Sequence, residues 1–157
     1  MSVIGFSYTR LRLTITSTES RGETLMTGET SLGALLRSMA PELNDGEYVF
    51  CTVPDINRVA GADVLGSIRE REGLTVILER SQAQALKLGA EYVMAWITLT
   101  VHSSLAAVGL TAAFARALGD AGISCNVVAG FYHDHLFVGK DDALKAMATL
   151  RALAANA

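Results

Sequence analysis

Cysteine and proline are both scarce in this chain of 157 residues, with two of each. Cys51 and Cys125 lie in separate apolar runs and neither has a CxxC partner. That pattern excludes a disulfide framework and a cysteine metal or redox motif, and both read as reduced, buried thiols of a cytoplasmic protein. Charge of one sign is missing too. The formal net charge is −3 with 18% charged residues, so there is no basic field to attract nucleic acid or an anionic membrane, and neither is expected as a partner. No apolar run approaches the roughly 20 residues that span a bilayer. The longest, residues 92–101, is interrupted by Thr98 and Thr100 and reads as a strand of a soluble protein. A GxSxG elbow and a glycine-rich phosphate loop are also lacking.

What the chain does have is apolar content, at 50% hydrophobic residues, enough for one domain or two small ones. Residues 1–25 stand apart. They are rich in Ser and Thr, carry Arg10, Arg12 and Arg21, and hold acids only at Glu19 and Glu23. This segment reads as an extension ahead of a start at Met26, and its residues 6–15 alternate weakly like a strand.

From Thr30 the pattern turns helical. Leu32, Leu35, Leu36 and Met39 share a face behind a cap at Thr30 or Ser31, and Pro41 ends the helix. Asn44-Asp45-Gly46 is a turn signal, and residues 48–53 form a strand closed by Pro54. Residues 62–68 predict one or two helical turns, and Arg69-Glu70-Arg71-Glu72 a solvated turn. A buried strand follows at 74–78, then a helix capped by Ser81 and ending near Gly89. After the strand at 92–101, His102-Ser103-Ser104 leads into a helix. Its expected stripe is Leu105, Val108, Ala112, Ala115 and Leu118, with Phe114 nearby. Residues 123–131 and 136–138 are strands joined through His133-Asp134-His135, and Asp141 or Asp142 caps a last helix reaching about Ala155. The second half is thus β-α-β-β-α, a sheet covered on one face by helices. Leu118, Ala112, Leu144, Met147 and Leu150 are expected between the layers.

An internal repeat is visible. Gly33 and Gly46 have the spacing of Gly109 and Gly122, 76 residues further on. The stretch LTVILERSQAQAL resembles HLFVGKDDALKAM at an offset of 60, with Ala83 opposite Ala143 and residues 55–72 as an insertion. The first copy lacks an opening strand and the second a closing one. Either the halves share strands or residues 6–15 fill a gap.

The residues able to carry chemistry cluster late. His102-Ser103-Ser104 precede a helix N-terminus, where free N–H groups and the positive dipole end suit a carboxylate. The plainer role there is capping. His133 and His135 invite a metal reading, but no cysteine or acid cluster accompanies them, and a hydrogen-bonding or ligand-contact role is the better fit. No metal, cofactor or catalytic residue is expected. A triad from Ser103 or Ser104 with His102 and Asp134 lacks the usual arrangement.

Gly109-Leu110-Thr111-Ala112-Ala113-Phe114, then Leu118, then Ala121-Gly122-Ile123, resembles the signature of the ACT domain. The YHDHLFV stretch at 132–138 further resembles a small bacterial subgroup of tandem ACT proteins, a likeness covering residues 30–157. The resemblance implies an α+β fold of two ferredoxin-like βαββαβ modules, with antiparallel sheets covered on one face by helices. The modules would span a degenerate copy at 26–89 and a second at 90–157. It also implies a regulatory or sensor protein that binds a small molecule, an amino acid, at an interface between two such domains. The absent catalytic motifs make it non-catalytic, and the strand edges that each half leaves unpaired point to a homodimer. The candidate ligand-binding residues are His102, Ser103, Ser104, Leu105, Gly109, Asn126, His133, Asp134 and His135. Ala106-Ala107-Val108 stands where the family has acidic-x-Pro before Gly109, and Ser124 where it has Asn. Those departures frame the alternative, a structural or partner-binding module whose ligand pocket has decayed.

Overall fold

The computed structural model describes residues 31–101 and 108–157. The 1–25 extension, the weak strand at 6–15, and His102, Ser103, Ser104 and Leu105 lie outside the described residues. The elements run α1 (Leu32–Ser38), β1 (Pro41–Leu43), β2 (Tyr48–Val53), β3 (Val64–Arg69), β4 (Leu74–Glu79) and α2 (Arg80–Ala85). They continue with β5 (Met94–Leu99), α3 (Leu110–Asp120), β6 (Cys125–Ala129), β7 (Asp134–Gly139) and α4 (Ala143–Ala155). The fold is α+β, with all strands antiparallel in one seven-stranded sheet.

The sheet order is β3-β4-β2-β5-β7-β6, with β1 alongside β5. Two half-sheets therefore meet at β2 and β5, and the halves are built alike. In the first, Tyr48 pairs with Glu79 and Val49 with Leu78. In the second, Met94 pairs with Gly139 and Ala95 with Val138. Arg80 N–H donates to the Glu47 carbonyl at 2.7 Å, and Lys140 N–H donates to the Val93 carbonyl in the equivalent place at 3.2 Å. Ala83 and Ala143 are both buried. The repeat at an offset of 60 is thus a repeat of structure.

The glycine repeat 76 residues apart is not. Helix α1 packs with α3 and α4, and Leu35 and Met39 belong to the core of Leu99, Phe114, Leu118 and Leu150. Gly46 (φ +98°) sits in a bend between β1 and β2, whereas Gly122 (φ +71°) follows α3. Residues 55–72 are no insertion either. They hold a single 3-10 turn, Ile56–Val59, where the second half has α3, and then β3 where it has β6. The expected helical turns at 62–68 are a strand. Its mixed, mostly exposed sequence and a register shift between Val64 and Gly66 hide the alternation that marks strands.

The missing closing strand of the second half is β1. Pro41, Glu42 and Leu43 pair with Leu99, Thr98 and Ile97. The chain bends at Asn44–Gly46, touches β5 once more where Tyr48 pairs with Met94, and runs on as the partner of β4. One stretch, 41–53, therefore serves both halves. In the first half the closing position holds irregular chain, where the Cys51 thiol donates to the Gly89 carbonyl at 3.0 Å.

All helices lie on one face. Val49, Cys51, Val53, Val76 and Leu78 meet Ala83 of α2, while Ala95, Ile97, Leu99, Leu136 and Val138 meet α1, α3 and α4. The buried residues of α3 are Leu110, Phe114 and Leu118, one per turn at i, i+4 spacing. Ala112 and Ala115 are exposed, and Val108, 83% exposed, precedes the helix. The helix begins later than its apolar content implied because Gly109, at φ +101°, is a left-handed N-cap, a conformation that favours glycine. A Cβ there would also come within 3.2 Å of Leu32 on α1. In α4 the inner residues are Ala143, Ala146, Met147 and Leu150, and Leu144 faces solvent. Ser81 does not cap as expected, whereas Asp142 does hold the N-cap position of α4. Glu79 is the N-cap of α2, with the Ser81 hydroxyl donating to its carboxylate, and Asp142 makes no side-chain cap bond to α4.

The opposite face receives no helix residue among those described. It carries Ile77, Met94 and Phe137, with Tyr48, Phe50, Trp96 and Val128 half-buried around them.

Leu118 is fully buried against the sheet. Leu118→Asp is expected to cost 3 kcal/mol or more, on the order of a buried unpaired charge. Loss of the circular-dichroism unfolding transition checks it, and a variant with unaltered stability would contradict this packing.

Candidate functional site

Strand alternation decides which candidate residues meet. Asp134 opens β7 and sits opposite Leu99 and Ala129. It points to the helix side, in phase with Leu136 and Val138. His135 points to the other side. His133-Asp134-His135 is therefore not a connection between strands with one functional face. His133 lies in the turn, and the other two belong to β7 with their side chains on opposite faces of the sheet. Asn126 faces the helix-free side as the cross-strand neighbour of Phe137 and is exposed.

On the helix side, Asp134 shares one end of the sheet with the end of β5. As a residue Asp134 is 9% exposed, its carboxyl oxygens keep some contact with solvent, and its side chain has no hydrogen-bond partner among the described residues. Burial pushes its pKa above the usual carboxylate range, and His135 pulls the other way. Leu110, in the first turn of α3, belongs to the same core as Leu99 and Val101. The N-cap of that helix of 11 residues, Gly109, has no side chain to bond its leading N–H groups, and a helix start carries the positive end of the dipole. Nearby in the turn, Gly130 N–H donates to the His133 carbonyl at 2.8 Å. The His133 Nδ1 atom is enclosed without a partner. A mostly buried acid at the end of β7 and a helix start with a glycine N-cap thus belong to the same half of the molecule. That arrangement suits a ligand bearing both signs.

On the helix-free side, His135 belongs to a polar network that sequence patterning missed. Trp96 Nε1 donates to His135 Nδ1 at 3.1 Å, and Thr98 Oγ1 lies 3.4 Å from the same nitrogen. The Asn44 amide donates to Thr98 Oγ1 at 2.9 Å and to the Trp96 carbonyl at 3.2 Å. The available signal was the alternation of Trp96 and Thr98 with Ala95, Ile97 and Leu99. It marks a second face with its own polar content.

A third arrangement sits where the halves meet. Glu47 holds Arg80 of the first half at 2.7 Å and also Lys140 of the second. The pair flanks a cleft of about 370 Å³ lined by Glu91, Tyr92, Gly139 and Asp142 among others. Its cations are already paired to Glu47, so it reads as a joint.

Neither cysteine is a reactive thiol. Burial raises the Cys51 pKa and pushes that of Cys125 to about 11, so both stay protonated near neutral pH. Among the described residues, no group of three or more His, Cys, Asp or Glu is placed to hold a metal ion. No helix of the described residues is long and apolar enough to cross a membrane.

Comparison with known proteins agrees with this architecture. Two family models, each described as an ACT domain, match residues 27–95 and 91–152. No protein of curated function matches the chain in sequence. A crystal structure of a Vibrio cholerae protein of unknown function, described as a possible transport protein, is 49% identical. The match covers 78% of this chain and 95% of that one, with a TM-score of 0.73. The ligand-free regulatory subunit of aspartate kinase from Thermus thermophilus matches at 12% identity over 73% of this chain and 97% of its own, with a TM-score of 0.58. The corresponding Thermus flavus subunit is 13% identical over 73% and 95%, with a TM-score of 0.56. At such identities these last two show the fold alone. With two matching models in tandem and a half-identical relative over most of its length, this chain belongs to the ACT domain family.

Proposed function

We propose that this chain is a non-catalytic regulatory protein of the cytoplasm. In this reading its second ACT domain binds a small zwitterion, an amino acid, where β5 gives way to α3. The observation that carries this is Asp134, a mostly buried acid without a hydrogen-bond partner among the described residues, at the end of β7 opposite the end of β5. The α3 N-terminus supplies donors for the ligand carboxylate. Asp134 supplies the counter-charge for its ammonium, and the ammonium in turn relieves the cost of a desolvated carboxylate. His133, with its enclosed and unsatisfied Nδ1, is the neighbour best placed to add a hydrogen bond. His102, Ser103, Ser104 and Leu105 would complete the site from the connecting loop, and Gly109 shapes its helix end. Asn126 and His135 face the other side and are assigned no contact with this ligand.

The domains we infer are 26–89 and 90–157, with α1 and β1 packing across onto the second. A second copy of the chain is the proposed partner. Among the described residues, strand β6, CNVVA, has a neighbour on one side only, and it carries no charge, proline or bulge to discourage pairing. The other outer strand, β3, has a register shift and ends in Arg69.

Three outcomes are expected. A ligand that binds only the folded chain raises its stability by about 2.7 kcal/mol at a hundredfold excess over Kd. A thermal-shift series over the twenty amino acids should therefore find at least one that raises Tm with concentration, and Asp134→Asn should abolish that rise. A flat series would favour the partner-binding alternative, for which the helix-free aromatic face offers a surface. Light scattering at micromolar concentration should return twice the chain mass; a monomer sinks the pairing through β6.

The third concerns pH. The folded pKa of Asp134 lies above the unfolded value of about 3.9, so the folded chain holds the proton more tightly. Stability from this group is present in acid and is lost as pH rises from the unfolded value through the raised one. Asp134→Asn removes that slope. It should leave the apo protein at least as stable as the parent to urea at pH 7, while losing ligand binding. A variant much less stable at pH 7 would show that the carboxylate is well solvated or paired instead.

A further inference from the structure

His135 and Trp96 form a contact that tolerates only one protonation state. The indole N–H is a donor with no acceptor capacity, and it points at His135 Nδ1 over 3.1 Å. That bond fixes the neutral imidazole with its proton on Nε2. A second proton has to enter at Nδ1, where it would face the indole N–H as donor against donor. Among the described residues, the one other group within reach of Nδ1 is the Thr98 hydroxyl at 3.4 Å, already an acceptor from Asn44. An imidazolium can turn to Thr98 only by giving up Trp96.

Trp96 matters beyond this bond. Its ring lies 5.6 Å from the imidazole and packs edge-on against Tyr48 at 5.3 Å. Tyr48 also meets Phe137, and its pairing with Met94 is the one point of register between β2 and β5. Asn44, the far end of the network, stands in the bend between β1 and β2, with its N–H on the Trp96 carbonyl at 2.9 Å. The network therefore runs from β7, through β5, to both places where the 41–53 stretch changes partner.

We propose that protonation of His135 displaces Trp96 and loosens the joint between the two ACT domains, so that their coupling is acid-sensitive. The groups around the imidazole set where this happens. Strand β5 presents Trp96 and Thr98, and β6 presents Val128, none of them charged. From β1, Glu42 stands beyond Thr98 on the far side of β5. The turn contributes His133, and Asp134 is adjacent on β7. Burial and the His133 charge disfavour the proton, Asp134 favours it, and the balance lies below the ordinary histidine value. The joint is locked at neutral pH and opens on the acid side of the usual histidine range.

Trp96 is the only tryptophan, so its emission reads the contact directly. The full-length chain should show one emission transition whose midpoint coincides with the His135 titration followed by imidazole NMR. Amide exchange across the β2–β5 joint, corrected for intrinsic pH dependence, should accelerate through the same transition. His135→Gln should remove it. Should His135→Gln fail to fold, Trp96→Phe provides the second reading. Without the opposing donor, the proton affinity of His135 should rise threefold or more. Emission that stays constant while His135 titrates overturns the proposal, as does a transition retained in His135→Gln. An unchanged His135 midpoint in Trp96→Phe overturns it as well.

Discussion

The molecule depends on one backbone ladder that changes sides. Between Pro41 and Val53 the chain first hydrogen-bonds along β5 and then, after the bend at Asn44–Gly46, along β4. Without the first part, β5 would lose the neighbour on its outer side and the second half its fourth strand. Without the second, β2 and the first half would have no centre. Because unpaired strand groups are costly to bury, this shared stretch makes a single sheet of two domains. It also places every helix on the same side. The site at the end of β7 and the network on the reverse face both follow from that sheet.

Strand β7 shows how little sequence is needed to serve two purposes. Asp134 and His135 are adjacent, yet the pleat sends one toward the helices and the other toward the aromatic face. Each is then tuned by its own surroundings. Burial pushes the acid up and the histidine down, so both shifts favour the neutral form and two opposite faces share one cause. Glycine accommodates the second face, since a Cβ on Gly130 would come within 3.1 Å of His135 Nε2.

Much of the fold was legible from periodicity. Strands β2, β4, β5 and β7 read as apolar runs, and α1 and α4 appeared with about the right extent. What escaped did so for identifiable reasons. Strand β3 has an outer position, a register shift and mostly exposed residues, so its alternation is faint. The phase of α3 was misjudged because alanines cost little on either side of a helix, while Phe114 fixes the buried one. The pairing of β1 was out of reach, since its partner lies more than fifty residues along the chain and nothing local records it. The site was legible in part. His133, Asp134 and Gly109 could be singled out as residue types, and the separation of Asp134 from His135 needed only the alternation rule. The Asn44–Thr98–His135–Trp96 network joins four residues from three segments. Only the tertiary register could assemble it.

The shared stretch also sets an order of events during synthesis. Residues 32–43 emerge from the ribosome well before their partners β5, α3 and α4. The β2–β4–α2 half can settle from contacts close in sequence while α1 and β1 wait for Leu99, Phe114 and Leu150. Long-range pairings of this kind form slowly, and a waiting apolar helix is the sort of surface that chaperones recognise. The last step of folding is then the docking of residues 32–43 onto β5, α3 and α4. The half carrying the proposed ligand site becomes complete only when the whole chain has been made.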